Sequence, residues 1–262
     1  MKRKVLNFSF GLLSVFLFFS CNDTDNEIPY VSYGVIQNVN ASDDYEIFTD
    51  VGNTLVVTKS HTGHKIENDK RVLVNFEILS DKDRNKKVYE ISVNGFYDLL
   101  SKPLVNESFI LQDEEARRDS IGDDSFIGIG ARFGGEYINI NFELWYLYNS
   151  KTKHMINLVY DDMRADSDTI YLNLYHNAYG EVPGKDRPNY LYRGIGRCSF
   201  KISDLLPEGV SSKPVKLTWL QYGRNSFEAV ERSYTGVYKS GDDASEKGSN
   251  LSNNFETYIE VK

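Results

Sequence analysis

Only two cysteines occur in the 262 residues, too few for a disulfide framework to hold this fold together. Basic charge is also short, with 30 Lys and Arg against 38 Asp and Glu. An acidic chain repels a polyanion before contact forms, so nucleic acid is excluded as a partner. No apolar run reaches the ~20 residues a membrane-spanning helix needs. No stretch of twelve or more residues carries a clean helical stripe, and neither an internal repeat nor a low-complexity tract occurs. The sequence contains no G-x-S-x-G elbow, Walker loop or H-E-x-x-H, so no standard hydrolytic or nucleotide signature is present. What remains is a chain that is 40% hydrophobic and 13% aromatic, rich enough to build cores and therefore not disordered.

The first thirty residues decide location. Met1-Lys2-Arg3-Lys4 precedes the uncharged, mostly apolar run 5–19, a basic segment plus a 15-residue hydrophobic one, which is the pattern of an export signal. Lys2, Arg3 and Lys4 are the only charges before residue 21. Without those three, 27 basic residues face 38 acidic ones, a net charge of −11. Leu17-Phe18-Phe19-Ser20-Cys21 resembles the lipobox of bacterial lipoproteins, in which the Cys thiol receives diacylglycerol; Phe18 and Phe19 are bulkier than that pattern prefers. The resemblance implies a signal peptide over 1–20, lipidation of Cys21 and a membrane contact made through the acyl chains alone. Residues 21–29 read as a flexible acidic tether, because Asn22-Asp23-Thr24-Asp25-Asn26-Glu27 cannot pack. This tether is similar to the surface-export signal of Bacteroides-group lipoproteins, which implies an outer-membrane lipoprotein at the cell surface rather than on the periplasmic face.

From Tyr30 onward the apolar period is two. Val72, Val74, Phe76 and Ile78 alternate with Arg71, Leu73, Asn75 and Glu77, and Ile138, Ile140, Phe142 and Leu144 alternate with more polar neighbours. These are half-buried strands. Further strands are predicted over 30–39, 45–49, 54–59, 88–93, 126–133, 154–160, 169–175, 193–202, 215–222 and 255–261, with short helical pieces at 96–100 and 113–117. The fold class is all-β. The strand rhythm breaks over 101–119, where Pro103, Asn106 and the charged run Asp113 to Arg118 intervene. Five strands before the break suit a small OB-like barrel over 30–104, and about eight after it suit a β-sandwich over 105–262.

The segments Ile121-Gly122-Asp123-Asp124, Gly134-Gly135-Glu136-Tyr137-Ile138-Asn139-Ile140, His154 to Val159, Leu174 to Gly180 and Arg193-Gly194-Ile195 resemble the motif run of the NigD-like lipoprotein family. The resemblance covers nearly all of the chain after the tether. It implies an N-terminal OB-like domain, a C-terminal β-sandwich and a bacteriocin-associated locus, without supplying a biochemical role. Two departures are Asp124-Ser125, where the pattern more often has Asp-Pro, and a long loop over 181–192.

Several constellations invite chemistry and are better explained without it. His61 and His64 could begin a Zn²⁺ site but have no third ligand nearby, and zinc needs three or four protein ligands. Asp161, Asp162, Asp166 and Asp168 offer hard oxygens without the EF-hand register, so they read as a solvated hairpin loop. No metal site and no cofactor is expected. Cys198 shares a strand face with Gly196, Phe200 and Ile202, which points its thiol into the core as a small hydrophobe rather than a nucleophile. His176, Asn177 and Tyr179 form the densest polar cluster at a strand end, with Asn157 across the sheet. They are the candidate ligand-contacting residues, against the alternative that Asn177 and Tyr179 bond the backbone of a tight strand exit. Ser120 and Thr169 stand in Asp-Ser-Ile and Asp-Thr-Ile triplets that resemble an envelope O-glycosylation signal.

The expected function is a non-enzymatic cell-envelope lipoprotein, an extracytoplasmic binding or accessory module. Its expected partner is an envelope protein, bound in a bacteriocin-associated, immunity-type role, or alternatively a surface glycan. The 18 tyrosines on an acidic chain suit either kind of contact.

Overall fold

A computed structural model describes residues 30–40, 44–60, 63, 65–148, 150–164, 168–183, 191–223 and 226–240. The expected signal peptide over 1–20, Cys21 and the rest of the expected tether, His61, His64, Asp166 and the strand expected over 255–261 lie outside the described residues. No helix among the described residues is long and apolar enough to cross a membrane.

The first five strands are β1 (Tyr30–Gln37), β2 (Glu46–Thr49), β3 (Thr54–Ser60), β4 (Arg71–Asp83) and β5 (Val88–Asp98). They close a barrel in the order β1-β2-β3-β5-β4, with β3 and β5 parallel and the other pairs antiparallel. Alternation explains the closure: Ile36, Ile47, Leu55, Val57, Val72, Val74, Phe76, Ile91 and Val93 all point inward and fill it. The barrel is OB-like.

Two very short strands follow, β6 (Leu100–Lys102) and β7 (Val105–Asn106), then helices α1 (Glu107–Leu111) and α2 (Glu114–Ile121). The predicted helical piece at 96–100 is instead extended, running through the end of β5 into β6, while 113–117 falls largely within α2. Lys70 ion-pairs with Asp98, and Leu99 donates its N–H to the Arg71 carbonyl, so pairing to β4 claims this segment. Although it lies inside the span 30–104, β6 pairs in parallel with a sandwich strand, at Leu100 to Cys198.

The remaining strands are β8 (Gly128–Gly134), β9 (Tyr137–Leu147), β10 (Met155–Tyr160), β11 (Ile170–Asn177), β12 (Leu191–Lys201), β13 (Ser212–Tyr222) and β14 (Ala229–Lys239). They form one sheet ordered β14-β13-β11-β10-β7 and a second ordered β6-β12-β9-β8. Ile138, Ile140, Phe142, Leu158, Leu172, Cys198, Phe200, Val215 and Leu217 meet between the sheets as a single core. Helices α1 and α2 cover the outer face of the first sheet, where Ile110 and Ile121 pack on Val159 and Tyr175.

Close packing leaves no room at one glycine. A Cβ on Gly196 would lie 2.2 Å from the Phe142 ring, which is itself held against Phe126 in the core. Gly196→Ala should therefore lower stability by about 1–3 kcal/mol through overpacking, measured by chemical denaturation. A neutral result would mean that the Phe142 ring can move aside.

Barrel and sandwich meet through a buried polar joint. Arg71 on β4 forms a two-pronged ion pair with Asp50 in the turn after β2, its Nη1 donating to Asp50 Oδ1 at 2.6 Å. The same guanidinium donates across the joint, from Nε to Ser199 Oγ at 2.9 Å and from Nη2 to Asn139 Oδ1 at 2.9 Å. Asn139 Nδ2 donates to Asp50 Oδ2 at 2.6 Å, and Ser199 Oγ donates to Asn139 Oδ1 at 2.8 Å. The Tyr137 ring lies 4.0 Å from the guanidinium carbon. Gly134 and Gly135 turn β8 into β9 directly against Asp50, and a Cβ on Gly134 would come within 2.9 Å of its side chain.

Candidate functional site

The four residues singled out from the sequence do not gather on one surface. Asn157 pairs with Tyr175 on the outer face of the first sheet, and Lys102 Nζ donates to its side-chain oxygen at 2.7 Å. Burial holds the Lys102 amine below the usual lysine range. One residue further along β11, His176 opposes Ile156 and points the other way, into the space between the sheets. Asn177 is buried at the strand exit, donating from Nδ2 to the carbonyls of Asp119 and Ser120 at 2.9 and 3.1 Å and accepting from the Tyr179 N–H at 2.9 Å. Only Tyr179 is well exposed, at the left-handed φ of 50° that ends the strand. Asn177 thus bonds the backbone on both sides of the exit.

Two of the recognised motifs hold each other. Asp124 donates its N–H to the His176 carbonyl at 2.8 Å, and its carboxylate accepts the Ala178 N–H at 2.6 Å. Gly122 has φ 76° and packs so tightly that a Cβ would meet Asn177 at 2.6 Å. The segment 121–124 is a clasp on the exit of β11.

His176 belongs to a buried network. Its Nε2 lies 2.9 Å from His154 Nδ1, whose ring in turn places Nε2 3.2 Å from Glu181 Oε2. Glu181 also accepts from the Leu147 N–H at 3.0 Å and from the Ser150 hydroxyl. The His176 ring stacks on Phe126 at 5.1 Å. Burial, reinforced by the neighbouring His154 ring, pushes the His176 pKa down to about 4. Glu181 loses solvation, but hydrogen bonds from Ser150 and Leu147 and the His154 ring outweigh that and hold it below the usual carboxylate range. Glu181 sits on the far nitrogen of His154 and orients that ring. Among the described residues no group of three or more His, Cys, Asp or Glu is arranged to hold a metal ion.

The other candidates are placed as follows. Cys198 is wholly buried, and burial pushes its thiol well above the ordinary range. Asp161 pairs with Arg164 at 3.2 Å, while Asp162 accepts from the Ser108 N–H at 2.8 Å and from its hydroxyl, tying the loop to α1. Ser120 is exposed on α2, and Thr169 is half-buried just before β11.

A recess with aromatic walls was not foreseen from the sequence. At the corner where residues 126 and 127 pass between the sheets, a groove of ≈ 860 Å³ is lined by Trp145, Trp219, Tyr222 and Phe227 with Gln221 and Arg232. Phe126 bridges to Gln221 on one sheet, while Ile127 donates to the Glu143 carbonyl on the other. Because β8 pairs with β9 only as far as Gly128 opposite Glu143, Trp145 lies beyond its cover. Trp219 opposes Arg232 across β13 and β14, and its indole N–H donates to Gln221 Oε1 at 3.1 Å, fixing the ring. Phe227 stands edge-on to Tyr222 at 6.2 Å and is 58% exposed. Burial, with the nearby Asp124 charge, raises the Tyr222 hydroxyl to about 12, so it remains a donor at neutral pH. Both tryptophans of the chain therefore line one recess, a signal available in the composition and not exploited.

Residues 108–233 match the family model of the NigD-like C-terminal beta sandwich domain. The chain carries a NigD-like C-terminal β-sandwich domain. The groove, the clasp and the histidine network all belong to this NigD-like sandwich. The chain is similar to a crystal structure of a protein described as toxin-related from Parabacteroides distasonis, with 25% identity, a TM-score of 0.60, and coverage of 82% of this chain and 96% of that one. It also resembles a NigD-like immunity protein from Bacteroides caccae, at 18% identity and TM-score 0.59 over 80% and 96% of the two chains. A Bacteroides fragilis protein described as a lipoprotein shares 13% identity and a TM-score of 0.55 over 81% and 99%. These last two likenesses are of fold alone. No curated protein matches the chain.

Proposed function

We propose that the chain is a non-enzymatic lipoprotein of the cell envelope, anchored to the outer membrane through a lipidated Cys21 and displaying a NigD-like binding or accessory module at the cell surface. One observation carries the binding reading. Groups that a catalyst would recruit are engaged in the fold, Cys198 in the core, Ser199 in the joint and His176 against Phe126, whereas the aromatic groove is left to solvent. The N-terminal pattern Lys2 to Cys21 supports the anchor, and the lipoprotein description of the B. fragilis neighbour agrees with it. A second reading, favoured by the name of the B. caccae neighbour, is an immunity-type accessory whose partner is a protein.

Metabolic labelling with a palmitate analogue tests the anchor. The wild-type chain should carry label and fractionate with membranes, and Cys21→Ser should do neither. Label persisting on the Ser variant contradicts the proposal. Capture of an envelope component by the full chain in detergent tests the binding role; recovery of a protein supports the second reading, and recovery of a glycan alone contradicts it.

A further inference from the structure

We infer that the groove at the sandwich corner is a carbohydrate subsite, and that its ligand is an acidic sugar, a pyranose bearing a carboxylate. The inference rests on the binding reading above and names its ligand class. A pyranose ring offers an apolar face of C–H groups and an equatorial belt of hydroxyls. It is complementary to a wall that is aromatic in its planes and polar at its edges. Trp145, Trp219, Tyr222 and Phe227 supply the planes, and Gln221 and Ser226 supply edge groups. Among the described residues, aliphatic lining, which a peptide's leucine or valine anchors would seek, is confined to Ile127.

The charge of the ligand follows from Arg232. Among the described residues it is the one charged side chain lining the groove, and it makes no ion pair with any of them. It stands directly opposite Trp219 in the strand register, and both side chains line the same groove. That is the arrangement for pairing a ring carboxylate through two N–H donors while the ring lies on the indole. The chain's net negative charge does not oppose this contact at short range. Salt screens exposed charges beyond ~8 Å at physiological ionic strength, and among the described residues no acidic side chain lines the groove itself. Preorganisation favours binding as well, since Gln221 already holds the Trp219 indole.

The test uses the full chain purified in detergent and tryptophan fluorescence as the readout. The probes are oligosaccharides containing galacturonate, glucuronate or sialate, each paired with its carboxyl-reduced neutral counterpart. At least one acidic probe should saturate below about 1 mM, the range of a weak single-subsite contact, and its neutral counterpart should bind about tenfold more weakly or worse. Arg232→Gln should weaken the acidic probe about tenfold while leaving the neutral one unchanged. Trp145→Ala should weaken both. Both positions lie outside the core, and unchanged thermal unfolding of each variant verifies that the fold is intact. Failure of every acidic probe overturns the inference, as does equal binding of acidic and neutral partners or saturation that survives Trp145→Ala. An acidic peptide that saturates the groove in place of all the sugars also overturns it. If the sugars fail while capture of an envelope component persists, only this inference falls; if both fail, the binding reading falls with it.

Discussion

Replacing Asp50 with Ala should cost about 3–5 kcal/mol of stability, the penalty for leaving a buried guanidinium without its counter-charge. For a chain of this size that corresponds to a fall in Tm of roughly 6–20 °C. Arg71 is 3% exposed and its remaining partners, Asn139 and Ser199, are neutral, so no second carboxylate takes over. The loss should concern the joint before either core. Wild-type protein is expected to melt in one transition, and the Asp50→Ala variant in two, with barrel and sandwich uncoupled. Calorimetry distinguishes these outcomes, and a variant that melts in one transition within about 2 °C of wild type would show that the joint contributes little.

Acid should weaken the fold well before its carboxylates are protonated. His176 titrates near 4 in the folded chain against 6.5 for an ordinary histidine, so between those values the unfolded state binds the extra proton. Stability from this group is complete above about pH 6.5 and is lost as pH falls toward 4, a change on the order of 3 kcal/mol. The mechanism is local. The contact of 2.9 Å between the His154 and His176 nitrogens requires at least one of the two to be unprotonated. Glu181, held below 4.5, adds its own loss at lower pH, because stability from a depressed carboxylate is present above its unfolded pKa and disappears as pH falls through the folded one. Urea midpoints measured from pH 7.5 to 4.5 should fall steadily below 6.5. In His176→Gln that slope should shrink by about one proton. A flat profile for the wild type would contradict the burial argument.

The parts of this fold that were legible in the sequence are those in which one face is buried and the other wet. Residues 72–78 and 138–144 show it, since period two and burial coincide there. Strand β14 escaped notice because most of its residues are exposed on this edge of the sheet, leaving no alternation to read. Strands β6 and β7 are too short for any period, and the piece at 96–100 was claimed by pairing to β4. The reading of His176 stopped at a polar strand end. Its partners His154 and Glu181 come from other segments, and only the β10 and β11 register brings the two imidazoles together. The groove was hidden for the same reason, since Trp145, Trp219 and Arg232 meet only after two sheets are stacked and β14 is added.

The most direct test of the account is hydrogen exchange on the full chain in detergent, with and without saturating envelope extract. A binding module that uses the corner groove predicts slowed exchange in β13 over 219–222 and in β14 over 229–233, with the barrel strands β1 to β5 unchanged. Protection confined to the barrel, or none anywhere in the chain, would contradict it.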